Sequence, residues 1–394
     1  MKHKIGLFLD TEPFEGGAFQ YSQTILEAVS ALPRDRFDVV AALTNDSWSG
    51  QMKRHDLKAL KVSFGFWKHF PGKRLSGYLP MTPWRKFARS FHAPSKFLNA
   101  QLCDLWIFPA QDIFTYLLPL PALGSIHDLM HRYEPQFPEV SAGGEYGKRE
   151  RHYRHLCACA KGIVVDSEVG RKQVLESYRI SPQRIHVLPY VARREIKKEE
   201  DSPLFDDRHP LPEKFIFYPA QFWQHKNHRV LILALALLRE KIPDIHLVFT
   251  GTGKNGFTSL EKLIGDVKVS RHVTFSGYVS DADMACFYRR ARAMMMPTFF
   301  GPTNIPPLEA MTNGCPTAVS DIYGMREQLG SASLYFNPSS AEEVAQVMEK
   351  LWCDDKLCDE LSRQGLLRTS QWNQGHFNRM LSQILSEVLA PVNS

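Results

Sequence analysis

Residues 293–321 read AMMMPTFFGPTNIPPLEAMTNGCPTAVSD. The apolar run 294–296 is too short for a helix and is stopped by Pro297. A second run, at Ala318 and Val319, is closed by Ser320 and Asp321. Both read as buried strands of a parallel sheet, which carry no polar face. Between them lie a loop, 298–304, and a short helix. Pro306 and Pro307 suit the first helical turn, where a missing N–H costs nothing. Thr303 or Asn304 is placed to cap this helix and Asn313-Gly314 to end it. A loop at the carboxyl end of a strand is where open α/β sheets bind ligands. The amides of the first turn are expected to be free to seat a phosphate. Glu309 lies in that turn and has two readings. An acid there favours the helix dipole, and a carboxylate there accepts hydrogen bonds from the vicinal hydroxyls of a ribose.

Strand and helix periods alternate on both sides of this stretch. Strands are expected at 5–9, 38–43, 104–108, 124–126, 162–166 and 185–188, then at 215–218, 246–250 and 273–275. A loop, 10–17, ends in Gly16-Gly17 and leads into a helix with Ala18, Tyr21, Ile25, Val29 and Leu32 on one face. Helices are expected at 228–240, 282–293, 341–351 and 377–389, the last with Phe377, Met380, Ile384 and Val388 on one face. Residues 191–214 are charged and proline-bearing and read as a linker. The pattern is that of two doubly wound α/β domains, 1–190 and 215–372, with a final helix in 373–394.

Seven cysteines, an odd number without a C-x-x-C pair, fit reduced thiols rather than a disulfide framework or a zinc site. The apolar run 5–9 is too short for a signal peptide, and the aliphatic run 230–238 is too short to span a bilayer. A cytoplasmic protein is expected. The net charge of +6 is uneven: the window 51–100 holds eleven Lys or Arg and one acid, Asp56. Aromatic residues are interleaved with these bases, including Phe64, Phe66, Trp67, Phe70, Tyr78, Trp84, Phe87 and Phe91. Such a segment is expected to meet an anionic membrane surface peripherally, at the inner face of the plasma membrane. Stacking of bases on the aromatics is the competing reading, and a solvated cover over the acceptor site is the plain one. No nucleic acid is expected, and no long amphipathic helix is evident in the window.

Lys226 lies in YPAQFWQHKNH, 218–228, between a strand and a helix that Asn227 is placed to cap. A surface Lys is usually only solvated. At a strand's carboxyl end it would neutralise a departing diphosphate. Gly251, Gly253 and Gly256 spell G-x-G-x-x-G after a strand, but not after the first strand of the chain, which weighs against a dinucleotide site. Asp281-Ala-Asp283 has the spacing of a metal motif yet opens a helix, where Ser280 or Asp281 is an ordinary cap. His127 and His131 lack a third zinc ligand in context. No metal and no cofactor are expected.

The central stretch resembles the E-x7-E region of family-4 glycosyltransferases, retaining enzymes of the GT-B fold. Pro306, Leu308, Glu309, Ala310, Met311, Gly314 and Pro316 match P-x-LEAM-x-x-G-x-P. The family's first Glu falls on Gly301, and the Gly-Phe-Gly after it on Pro302-Thr303-Asn304. The family's Lys matches Lys226, while its Arg position holds Gln221. By this resemblance Glu309 binds the nucleotide ribose. Gly301, Thr303, Asn304 and Ile305 contact the donor sugar, with backbone amides standing in for the missing carboxylate. Gly251 and Gly253 lie under the nucleotide, and Gly277, Tyr278 and Val279 meet its base. Gly16-Gly17 corresponds to the glycine-rich first loop. His127 corresponds to a His that faces the reaction centre, and Asp166-Ser167-Glu168 to a strand end nearby.

The resemblance implies a GT-B protein: two Rossmann-like domains facing a central cleft, acceptor on 1–190, nucleotide-sugar on 215–372, the last helix crossing back. It implies a retaining, metal-independent hexosyltransferase, mannosyltransferase-like, with His127, Lys226 and Glu309 at the reaction centre. The donor would be a GDP- or UDP-sugar and the acceptor a glycan or lipid-linked saccharide, in cell-surface polysaccharide synthesis. Two alternatives stand beside it: a glycan- or nucleotide-sugar-binding protein without catalysis, which Gly301 favours, and a sugar-nucleotide epimerase on the same fold.

Overall fold

Each of the apolar runs expected as a strand forms one, and the strands fall into two separate parallel sheets. The computed structural model describes residues 2–63, 80–192 and 205–391. The chain divides into one unit of residues 1–135, 140–190 and 374–394 and another of residues 136–139 and 191–373. Half of the expected linker 191–214, residues 193–204, lies outside the described residues. Its last part holds a short helix, Phe205–Arg208.

In the first unit the strands are β1 (His3–Leu9), β2 (Phe37–Leu43), β3 (Lys58–Lys61), β4 (Leu105–Phe108), β5 (Ala122–Ser125), β6 (Gly162–Val165) and β7 (Ile185–Val187). Their order is β3-β2-β1-β4-β5-β6-β7, parallel throughout. The sheet grows outward from β1 and then jumps back to its other edge, which is the doubly wound plan. β4, β5 and β6 are buried along their whole length, as strands covered on both faces must be. One face packs Phe8, Trp106, Phe108 and Phe114, the other Tyr116, Tyr153, Leu156 and Ile163. The helix Gln374–Leu389 belongs to this unit. Its Phe377, Leu381 and Leu385 are fully buried, and the Phe377 ring meets Tyr21 edge-on at 6.3 Å.

In the second unit the strands are β8 (Ile216–Pro219), β9 (Leu247–Thr250), β10 (Val273–Phe275), β11 (Ala293–Met296), β12 (Thr317–Ser320) and β13 (Ser333–Phe336). The order β10-β9-β8-β11-β12-β13 repeats the plan, again all parallel. The helix Asp281–Arg290 stops short of the expected 293, because Ala293 already pairs with Ile216 in the sheet.

The window 51–100 departs from expectation. It contributes β3, and it folds into the helices Met81–Phe91 and Ala93–Asn99. The first of these is amphipathic. It buries Met81 and Ala88 and leaves Phe87 and Phe91 exposed; at 11 residues it is a helix of ordinary length, in a window where no long one is expected. Phe64, Phe66, Trp67, Phe70 and Tyr78 lie outside the described residues.

Gly6 faces Trp106 across β1 and β4. A Cβ on Gly6 would sit 2.3 Å from the indole, so the ring occupies the space of a side chain. Gly6→Ala is expected to destabilise by about 1–3 kcal/mol through overpacking, read as a lower denaturant midpoint. Trp106→Phe in the same chain should recover part of that loss.

Candidate active site

β8 and β11 are neighbours in space but not in sequence, so the sheet's winding reverses between them. The loops that leave the carboxyl ends at such a reversal are the usual ligand site of a doubly wound sheet. Gln221 and Lys226 lie on the loop after β8; Gly301, Thr303, Asn304, Ile305 and Glu309 follow β11. Hydrogen bonds tie the two loops together. Phe299 N–H donates to His225 O at 2.9 Å, and Thr298 Oγ1 donates to the same oxygen at 3.3 Å. Asn227 Nδ2 donates to Pro297 O at 3.1 Å and to Pro338 O at 2.8 Å. Asn227 occupies the N-cap position of the helix His228–Leu238, but its side chain does not cap. Its amide is spent on the clamp instead. Gln221 Oε1 accepts from Trp223 Nε1 at 2.9 Å. Lys226 is half-buried, and its backbone is pinned by Tyr218 Oη, which donates to Lys226 O at 3.0 Å. Burial, helped by the Lys226 charge, drives the neighbouring His228 down to about 3.

The helix Pro306–Thr312 forms as expected and ends at Asn313, with Gly314 at φ 72°. Its start differs from expectation. Ile305, not Thr303 or Asn304, is the N-cap, and no side chain caps it. The first turn has no amide left for a phosphate. Pro306 and Pro307 carry no N–H, and the Leu308 and Glu309 amides both donate to Ile305 O, at 2.9 and 3.2 Å. Asn304 is also spent locally, its N–H on Gln328 Oε1 at 3.1 Å and its Nδ2 on Phe300 O at 3.1 Å. The backbone route to a sugar is thereby narrowed to the other residues of the loop. Thr303 is buried. Gly301 has φ 95°, and a Cβ there would meet Thr303 O at 2.8 Å. The loop therefore has its own shape, into which a glutamate at 301 does not fit unchanged. Glu309 is buried, and Tyr288 Oη donates to its Oε2 at 3.2 Å. The carboxylate thus serves the fold as well as any ligand.

The next loops along the same edge of the sheet carry the remaining residues. Gly251 and Gly253 follow β9, and Gly277, Tyr278 and Val279 follow β10. Gly251 N–H donates to Gly277 O at 2.7 Å, so these two loops are also joined. Tyr278 is 74% exposed and Val279 is buried. The G-x-G-x-x-G run follows the second strand of its sheet rather than the first, the wrong place for a dinucleotide fingerprint. Asp283 is buried and paired with Arg208 at 2.5 Å and His209 at 3.4 Å, and Ser280 Oγ caps its amide. Among the described residues there is no group of three or more His, Cys, Asp or Glu side chains suited to a metal ion.

His127 belongs to the first unit and follows β5. Its Nε2 lies 3.0 Å from Pro109 O, which only accepts, so Nε2 carries the proton. Its Nδ1 then accepts from Tyr190 Oη at 2.9 Å. Burial holds the imidazole below its ordinary range, so the ring is neutral at pH 7. Both ring nitrogens are engaged within the unit, and a sugar reaches Nε2–H only by displacing Pro109 O. Asp128 bonds Met130 N–H at 3.0 Å and pairs with Arg149. His131 is buried against Glu150 at 3.3 Å. Ser167 caps the helix Glu168–Ser177 through Gly170 N–H, which accounts for the Asp166-Ser167-Glu168 run. Gly16 and Gly17 open the helix Gly17–Ser30, with no heavy atom within 4 Å of where either Cβ would lie.

Sequence reasoning missed Glu139. This residue belongs with the second unit, where its Oε1 accepts from Gln224 N–H at 2.7 Å and His225 N–H at 3.4 Å and lies 3.3 Å from His225 Nδ1. It thereby shapes the turn Gln224–Lys226 that presents Lys226. No local pattern marks it, because its partners lie more than eighty residues away. Burial pushes the Glu139 carboxyl up, but hydrogen bonds from His225 and the backbone outweigh it and hold the group at about 2. A depressed carboxylate stabilises fully above its unfolded value and loses that contribution as pH falls through the folded one. Glu139→Gln is therefore expected to flatten the decline of Tm between about pH 4.5 and pH 2, and to lower Tm at neutral pH.

Residues 201–368 match the family model described as glycosyl transferases group 1. The serotype-specific mannosyltransferase WbdA of Escherichia coli is 24% identical over 259 residues, which is 63% of this chain and 31% of that protein. The chain thus spans about a third of the length of the WbdA sequence. The mannosylfructose-phosphate synthase of Agrobacterium fabrum is 22% identical over 75% of this chain and 70% of its own. Among solved structures, Anabaena HepE in complex with UDP and glucose superposes with a TM-score of 0.72 at 16% identity, over 98% of this chain and 99% of that one. Sucrose-phosphate synthase from Thermosynechococcus elongatus gives 0.74 at 16% identity, over 98% and 99%. The resemblance carried by the LEAM stretch is thus met independently: residues 201–368 have the sequence of group 1 glycosyl transferases, and the chain has the GT-B fold of two Rossmann-like domains.

Proposed function

We propose that the protein transfers a sugar, with retention of configuration, from a GDP- or UDP-sugar to a glycan or lipid-linked saccharide acceptor in cell-surface polysaccharide synthesis. One observation carries this reading. Lys226 and Glu309 leave the two strands that flank the winding reversal of the second sheet, inside the segment that matches the glycosyl transferases. Relatives named as mannosyltransferases favour a mannosyl donor, and neighbours named with UDP and glucose favour a nucleotide-sugar in general. Glu309 binds the ribose hydroxyls. Lys226 balances the charge that grows on the leaving diphosphate, and His127, neutral and Nε2-protonated, donates a hydrogen bond to the reacting sugar. No metal and no cofactor take part. Catalysis rests on leaving-group stabilisation and on holding donor and acceptor in line.

A binding protein without turnover is the second reading, favoured by glycine at 301. A panel of GDP- and UDP-sugars, each with and without saccharide acceptors, separates the two. Release of nucleoside diphosphate only in the presence of an acceptor is expected, with the anomeric centre retained in the product by NMR. Tight binding with no release would favour the binding protein. Sugar interconversion without acceptor would favour an epimerase.

Two substitutions assign the roles. Glu309→Gln keeps an oxygen for Tyr288 Oη, so Tm should move little, while nucleotide binding weakens by about 1.5–3 kcal/mol. Lys226→Ala should lower kcat more than it changes KM, because the charge it meets develops as the bond breaks. Unchanged nucleotide Kd in the first variant, or unchanged kcat in the second, would remove that residue's role.

A further inference from the structure

The helix Met81–Phe91 on the first unit has two unlike sides. Its inner side is fully committed to the fold. Met81 and Ala88 are buried. Trp84 Nε1 donates to Leu117 O at 2.9 Å. Arg85 donates to Tyr116 O at 2.9 Å, Leu118 O at 2.7 Å and Leu120 O at 3.2 Å. Arg85, one of the bases counted in the sequence, is therefore a structural residue.

The apolar stripe that begins at Met81 and Trp84 runs on into solvent, the Phe87 ring lying 5.9 Å from that of Trp84. Phe87 is 45% exposed and Phe91 68% exposed, and their rings stack at 5.1 Å with 24° between planes. Lys86 and Arg89 are exposed on the same helix. The next helix, Ala93–Asn99, adds exposed Lys96 and Phe97, the latter 42% exposed. No Asp or Glu occurs between Asp56 and Asp104, so nothing in this stretch neutralises those cations. A cluster of exposed rings on a surface segment rich in cations marks an interaction site. They fit the boundary of an anionic bilayer, where rings enter the acyl edge and cations meet headgroups.

We propose that Phe87 and Phe91, together with the exposed Lys86, Arg89 and Lys96 of the same two helices, dock this protein on an anionic phospholipid surface. The ring geometry favours lipid over nucleic acid. Each ring already has one face against the other, which makes a single apolar wedge rather than a platform for successive bases. The attachment is peripheral, since no helix among the described residues is long and apolar enough to cross a membrane. The proposal does not depend on the proposed reaction.

Flotation of the full chain with phosphatidylcholine vesicles, with and without phosphatidylglycerol, tests it. Binding should require phosphatidylglycerol and weaken as salt rises. Phe87→Ser with Phe91→Ser should cut partitioning about tenfold per ring. Lys86→Glu with Arg89→Glu should cut it at least about fivefold per cation. All four side chains are exposed, so Tm should match the parent in both variants, and a matched Tm is the condition for reading them. For a variant that fails this condition, Phe87→Ala with Phe91→Ala, or Lys86→Gln with Arg89→Gln, replaces it, with loss of binding again expected. Absence of binding, equal binding to neutral vesicles, or retained binding in either variant would overturn the proposal. So would tighter capture of a single-stranded oligonucleotide than of vesicles.

Discussion

The pairing of β11 with β8 governs what the second unit is able to do. Ala293 lies against Ile216 and Met294 against Phe217, although some seventy-five residues separate them in the chain. A parallel neighbour so remote in sequence requires the chain to leave the sheet at β10, cross over, and re-enter beside its first strand. The crossovers on the two sides of this pair run in opposite directions. Every residue of the candidate site in this unit follows β8, β9, β10 or β11 at the carboxyl edge. The four methionine and alanine positions of β11 are fully buried, which is what holds the strand at that register.

The loops above the sheet are shaped by hydrogen bonds rather than by apolar packing. Asn227 bridges two carbonyls, Glu139 gathers two amides and an imidazole, and Glu309 takes a phenolic proton. Each is buried or half-buried, where an unmet polar group is expensive. The loops therefore have few alternative conformations. A carboxylate or amide that looks free in the sequence is already in use, and a ligand must share it or displace its partner. His127 shows the same condition in the first unit, held between Pro109 and Tyr190.

The strands were legible because fully buried parallel strands are short apolar runs with clear ends. The helices were less so. The helix Glu145–Cys159 buries only Tyr153, Leu156 and Cys157, too thin a stripe for a period to emerge from its charges. The helix Met81–Phe91 carries Met81, Trp84, Phe87, Ala88 and Phe91 on one stripe at helical spacing. The stripe is only partly covered: Met81 and Ala88 are buried, while Phe87 and Phe91 reach solvent. At the site, Glu309, Lys226 and Gly301 could be singled out because the motif is local. Pro306-Pro307 remove two amides from the first helical turn, while the loss of the next two to Ile305 O is set by the fold and has no signal in the sequence. Glu139 and Tyr190 act through partners distant in sequence, and no spacing signals them.

The last helix, Gln374–Leu389, is packed into the unit that contains the first strand. Phe377 touches Tyr21, Gln374 reaches Thr24 O, Arg36 bonds Ser386, and the Val388 side chain lies against Gly162. A chain leaving the ribosome makes β1 to β7 early, yet it completes that unit's core only after the whole second unit has been synthesised. The early-made sheet must wait with the groove for Phe377, Leu381 and Leu385 uncovered. The second unit has all but its four-residue outlier in one continuous stretch, and so it is free to fold as soon as it emerges. Order of synthesis and order of completion are thus reversed. A premature stop just before residue 374 leaves a finished second half attached to an unfinished first one.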